Sequence, residues 1–122
     1  MRKKKVLLNK EQVLQLLKDM KNNSILDNVR VGLAGSFARG KNKKSSDINI
    51  VISYLEELDD LKIFEYICNY MTSNSDYKID ILHLESIAKE DEMMDNIVKS
   101  IGLPKNEYSA YKNILKEVIW IE

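Results

Sequence analysis

The chain has 122 residues, enough for one domain with a real core and too few for two. Its 44% apolar and 31% charged residues make an ordinary globular composition, which speaks against both a disordered chain and a membrane-inserted one. Nineteen basic residues balance nineteen acidic ones, so net charge gives no support to a general polyanion-binding surface, and nucleic acid is an unexpected partner.

The N-terminus opens on Arg2, Lys3, Lys4 and Lys5, read as the start of a flexible basic tail over about residues 1–9 rather than a nucleic-acid arm. It has no apolar core long enough for a signal peptide, and no apolar run in the chain approaches membrane-spanning length. Cys68 is alone, so no intramolecular disulfide can form, and a reducing, cytoplasmic setting is expected. Its position in a helical apolar pattern predicts a small buried hydrophobe.

Asn9 can cap a first helix over about residues 10–22, with Val13, Leu14, Leu16, Leu17 and Met20 at helical spacing. Asn22-Asn23-Ser24 breaks it. Residues 29–34 read as a short strand ended by the Gly35-Ser36 turn, and a helical turn can begin near Phe37 with Ser36 at its start. After a polar loop, residues 47–53 alternate Ile48, Ile50 and Ile52 with polar or small partners, the period of a strand. Asp59 or Asp60 can cap the next helix, whose apolar stripe is Ile63, Phe64, Ile67, Cys68 and Met71. Residues 77–84 make a third strand. Met93, Met94, Ile97, Val98 and Ile101 mark another helix, stopped by Gly102 and Pro104. A last helix over about 106–116 precedes a closing edge strand at 118–121. The alternation predicts an α/β fold in which helices cover a small sheet.

The chemistry gathers around two stretches, Gly35-Ser36-Phe37-Ala38-Arg39-Gly40 and Ser46-Asp47-Ile48-Asn49. Residues two apart on a strand share a face, so Asp47 and Asn49 can present their oxygens together. Asp80, in the third strand, could bring a second carboxylate alongside. Such an oxygen set suits Mg²⁺ or Mn²⁺, which bind through a few carboxylates and substrate phosphates. Gly35 and Ser36 can offer an amide and a hydroxyl to those phosphates. Arg39, Lys41, Lys43 and Lys44 crowd the same loop and read equally as a phosphate clamp or as a solvated loop. His83 alternates with Ile79 and Ile81, away from Asp80, and reads as structural or surface. Tyr66, Tyr70, Tyr108 and Tyr111 fit core or interface packing, and Met93 and Met94 fit a core or a partner-facing surface.

Gly-Ser, ten intervening residues, Asp-x-Asn and a later strand Asp together resemble the minimal nucleotidyltransferases of the DNA polymerase β superfamily, from about Lys10 to Leu84 and again over the closing helix and strand. That resemblance implies a mixed sheet backed by helices, a nucleoside triphosphate such as ATP as donor, and Mg²⁺. It further implies transfer of a nucleoside monophosphate to an acceptor hydroxyl with release of pyrophosphate. Residue by residue, it assigns Gly35 and Ser36 to phosphate binding, Asp47 to the metal, and Asp80 to the acid near the attacking hydroxyl. Asn49 stands where the family has a second metal-bridging Asp, and an amide brings no negative charge. Two functions stay open: an adenylylating enzyme, or a weakened domain on the same fold that acts as an antitoxin by contact. About forty residues follow the third strand, too few for an acceptor-binding domain. The acceptor site is therefore expected to need a second copy or another protein. Stand-alone members of the family are often paired with a HEPN-domain toxin.

Overall fold

The computed structural model describes residues 7–55, 58–104 and 109–121. Arg2 to Lys5, Asn106 and Tyr108 lie outside them. The described part of the expected tail is tied down: Leu8 N–H donates to the Tyr77 hydroxyl (3.3 Å), and Leu8 C=O accepts from Asn42 Nδ2 (3.1 Å).

Helix α1 spans Lys10–Met20 and begins in a reciprocal cap. Asn9 Oδ1 accepts from Gln12 N–H while Gln12 Oε1 accepts from Asn9 N–H, both at 2.9 Å. The helix stops two residues short of the expected end, with Lys21 as its C-cap. A 3₁₀ turn at Ser24–Leu26 leads into strand β1, Arg30–Ala34. Helix α2, Gly35–Ala38, follows directly, then strand β2, Ile48–Ser53. Helix α3, Asp60–Asn74, is capped by Asp59, whose carboxylate accepts from Lys62 N–H at 3.1 Å. Strand β3, Ile79–His83, is shorter than expected because helix α4, Leu84–Ser100, starts at once. Helix α5, Ala110–Glu117, and the two-residue strand β4, Ile119–Trp120, close the chain.

The sheet order is β3-β2-β1-β4. Strand β1 is antiparallel to both β2 and β4, and β2 is parallel to β3 across the α3 crossover. The sheet is thus mixed, as the resemblance implies. Alternation divides its two faces. Ile48, Ile50 and Ile52 enter a large cluster with Val13, Leu17 and Met20 of α1 and Ile63, Ile67 and Met71 of α3. Ala34 and Val51 meet Leu84 on the other face, against Leu82, Tyr111, Ile114, Val118 and Trp120.

Cys68 is exposed, against expectation. The inward stripe of α3 is Ile63, Ile67 and Met71, and one residue past Ile67 the helix has turned through about 100°, out of the core. Tyr66 and Tyr70 pack beside the large cluster as expected, and Tyr111 beside the smaller one. Met93, Met94, Ile97 and Ile101 are exposed, so of the two readings of the methionines it is not the core one that holds.

Candidate functional site

Gly35 has φ +75°, a left-handed conformation that glycine adopts without a Cβ penalty. A Cβ built there would also lie 2.5 Å from Asn49 Nδ2 and 3.2 Å from its Cγ. The bend and the Asp-x-Asn strand are therefore in direct contact, and the missing side chain is what lets them meet. The β1–β2 register, which pairs Ala34 with Asn49, sets this up. Helix α2 begins at Gly35 itself, two residues before the expected start, and extended Ala34 offers it no side-chain cap. Ser36 is half-buried on the same turn, and its C=O accepts from Lys41 N–H at 2.9 Å, closing the turn. Phe37 anchors the turn from below, its ring edge-on to Tyr77 with centroids 5.0 Å apart.

Asn49 is directly opposite Asp80 in the parallel β2–β3 ladder. Both belong to the face of Val51 and Leu82, because Ile48, Ile50, Ile79 and Ile81 occupy the other. Asp47 lies one residue before β2, at the two-residue spacing from Asn49 that keeps an extended chain on one side. All three are half-buried. The registers set Asn49 beside Asp80, and the Gly35 bend packs against Asn49.

The donor set has two carboxylates and one amide oxygen. Among the described residues no group of three His, Cys, Asp or Glu side chains is placed to hold a metal ion. Asn49 lies opposite Asp80 in the ladder and two residues past Asp47. By chemistry alone, two carboxylates and an amide oxygen are donors that suit a hard divalent cation.

Sequence reasoning missed Glu117, the last residue of α5. Its Oε1 accepts from Gly35 N–H at 3.0 Å, and its Oε2 accepts from Arg39 Nη1 at 2.6 Å. One carboxylate thus occupies both the amide and the guanidinium of the candidate phosphate turn. No local motif marks it, since it lies 82 residues from Gly35 in the chain. Its placement depends on Asp91 of α4, which accepts from Ser109 Oγ and Tyr111 N–H, both at 2.9 Å, and so docks the start of α5. Lys41, Lys43 and Lys44 are exposed around the turn.

The far end of the same face is knit differently. Glu85 of α4 accepts from Ser53 Oγ at 2.7 Å and Tyr54 N–H at 2.9 Å. His83 stacks on Tyr54 with centroids 4.5 Å apart, and its Nδ1 lies 2.6 Å from Ser86 Oγ, a structural role as expected. Arg30 lies over the Trp120 ring at 4.1 Å. A cleft of about 480 Å³ opens there between Arg30, Tyr111 and Leu115. Among the described residues no helix is long and apolar enough to cross a membrane.

Residues 16–103 match the family model described as Polymerase beta, Nucleotidyltransferase. The chain is similar to the Methanocaldococcus jannaschii protein named "Putative protein adenylyltransferase MJ1215", with 33% identity over 78 residues, 64% of this chain and 87% of that protein. "Putative protein adenylyltransferase MJ1217" of the same organism is 37% identical over 57 residues, 47% of this chain and 57% of its own length. Among solved structures, a mutant of the toxin–antitoxin MntA-HpeT superposes with a TM-score of 0.51, covering 94% of this chain and 73% of that one. At 16% identity that likeness is one of fold.

Proposed function

The chain belongs to the polymerase β nucleotidyltransferase family, and from that premise we propose that it is a Mg²⁺-dependent adenylyltransferase acting on a hydroxyl of a partner protein. Gly35, Ser36 and Arg39 bind the triphosphate of ATP. Asp47 and Asp80, with the Asn49 oxygen, would hold the cation, which would neutralise charge on the phosphates. The acceptor oxygen attacks the α-phosphorus, the bond to pyrophosphate breaks, and Asp80 takes the hydroxyl proton. The observation that carries this reading is the Asn49–Asp80 register, with the Gly35 backbone packed against Asn49.

The partner is proposed from two sources. The structural neighbour is a toxin–antitoxin, and Met93, Met94 and Ile97 of α4, with Ile101 just past its end, leave apolar surface that a second protein could cover. A HEPN-type toxin in the cytoplasm fits the family resemblance, and a second copy of this chain is the other candidate.

The amide at Asn49 favours a second reading, a weakened site whose domain neutralises its partner by contact alone. Thermal melting separates the two. ATP with Mg²⁺ at millimolar concentration is expected to raise Tm, and Asp47→Ala to abolish that rise. No rise in the native protein counts against the enzyme. Partner binding that survives both Asp47→Ala and Asp80→Ala while transfer is absent supports the contact reading. Label from α-labelled ATP appearing on the partner supports transfer.

A further inference from the structure

The two strongest anion-seeking groups of the Gly35–Arg39 turn already hold an anion. Glu117 takes the Gly35 amide with one carboxylate oxygen and the Arg39 guanidinium with the other, at 3.0 and 2.6 Å. Nothing in α5 itself favours an acid at this place. Glu117 is the final residue of the helix, where the partial negative charge of the helix end repels a carboxylate. The favourable partners are all on the turn.

The backbone around Glu117 is held. Val118 N–H donates to Ile114 C=O at 2.9 Å, β4 pairs with β1, and Ile121 N–H donates to Val31 C=O at 2.8 Å. The side chain is freer: it is 31% exposed and Arg39 is 51% exposed, so the carboxylate can swing into solvent without moving α5. We propose that Glu117 is a built-in competitor for the phosphate site, occupying the turn in the empty protein and leaving it when the triphosphate binds. This rests on the reading of the Gly35–Arg39 turn as a phosphate site. Nucleotide affinity is then set partly by Glu117. A partner that draws Glu117 aside would raise it.

Isothermal titration of ATP·Mg²⁺, and separately of tripolyphosphate without metal, tests the idea on the native protein, Glu117→Gln and Glu117→Ala. Removing the competing charge is expected to tighten both ligands by about two- to fivefold, the range of a partly exposed ion pair. Glu117→Gln keeps an acceptor for the Gly35 amide, so a carboxylate serving only as a structural clip predicts equal or weaker binding. If the native protein binds and neither variant binds more tightly, the inference is overturned and the phosphate reading stands. If no form binds either ligand, the phosphate reading falls and the inference with it. Carbon-detected NMR of the native protein guards against a variant that fails to fold. The Glu117 carboxyl resonance should move on saturation with ATP·Mg²⁺, and a resonance that stays in place while ATP binds overturns the proposal.

Discussion

On one face of the sheet, β2 sends Ile48, Ile50 and Ile52 into a continuous apolar cluster under α1 and α3. On the other, the same strand presents Asn49, Val51 and Ser53, and only Val51 joins a small apolar cluster with Ala34 and Leu84. The first face resists water by burial and tolerates no polar intrusion. The second places polar groups at both ends: the Gly35–Asn49–Asp80 assembly at one, and the Ser53–Glu85 tie at the other. The contrast separates stability from chemistry within one strand, since residues one apart serve different ends.

The largest effect should come from the buried face. Leu17→Ala, a fully buried residue far in sequence from the candidate site, is expected to lower unfolding free energy by about 2–5 kcal/mol in urea denaturation. A loss under about 1 kcal/mol would mean that this cluster is not what holds the fold. Gly32→Ala probes the opposite face, where a new Cβ would lie 2.6 Å from Val118 Cγ2 and 3.1 Å from Ile119 C=O. Overpacking there should cost about 1–3 kcal/mol and loosen β4 first, seen as faster amide exchange at Trp120.

A smaller and conditional effect is expected at Asn49→Asp. Without metal, the new carboxylate faces Asp80 across the ladder, and the like charges should cost up to about 1 kcal/mol. Mg²⁺ should reverse that loss and raise nucleotide transfer. A melting temperature of this variant that ignores Mg²⁺ would show that the acids do not share a cation.

An effect of similar size is expected to depend on pH. The Tyr54 hydroxyl is pushed above the ordinary tyrosine range, first by burial and then by the hydrogen bond it donates to Asp60. A raised folded value means the native state keeps this proton longer than the unfolded chain does. The contribution is therefore complete below the unfolded tyrosine value of about 10 and is lost as pH rises through the folded value. Tyr54→Phe should flatten the alkaline decline of stability, at a cost near neutrality of about 0.5–1.5 kcal/mol for the lost hydrogen bond. An unchanged alkaline slope in denaturant titrations would refute the assignment.

The sequence by itself determined the order of the elements and marked the Gly35 bend, Asn49 and Asp80, which the sheet sets side by side. Asn9 and Asp59 cap helices as local chemistry dictates, the two-residue period of Ile48 to Ile52 names the buried face, and Gly-Ser before Asp-x-Asn marks the bend. These signals are local, set by spacing along a few residues. Where they failed, the deciding term was not local. Cys68 lies just outside a stripe narrower than its composition suggested, because only the turn of α3 against the sheet fixes which residues face inward. Strand β3 ends at His83 because Glu85 joins the end of β2 from the first turn of α4. Glu117 is the clearest case. Its chemistry as an acid is written in the chain, but its meeting with Gly35 and Arg39 exists only because Asp91 docks α5 and β4 pairs with β1, bringing together charges that no sequence window contains.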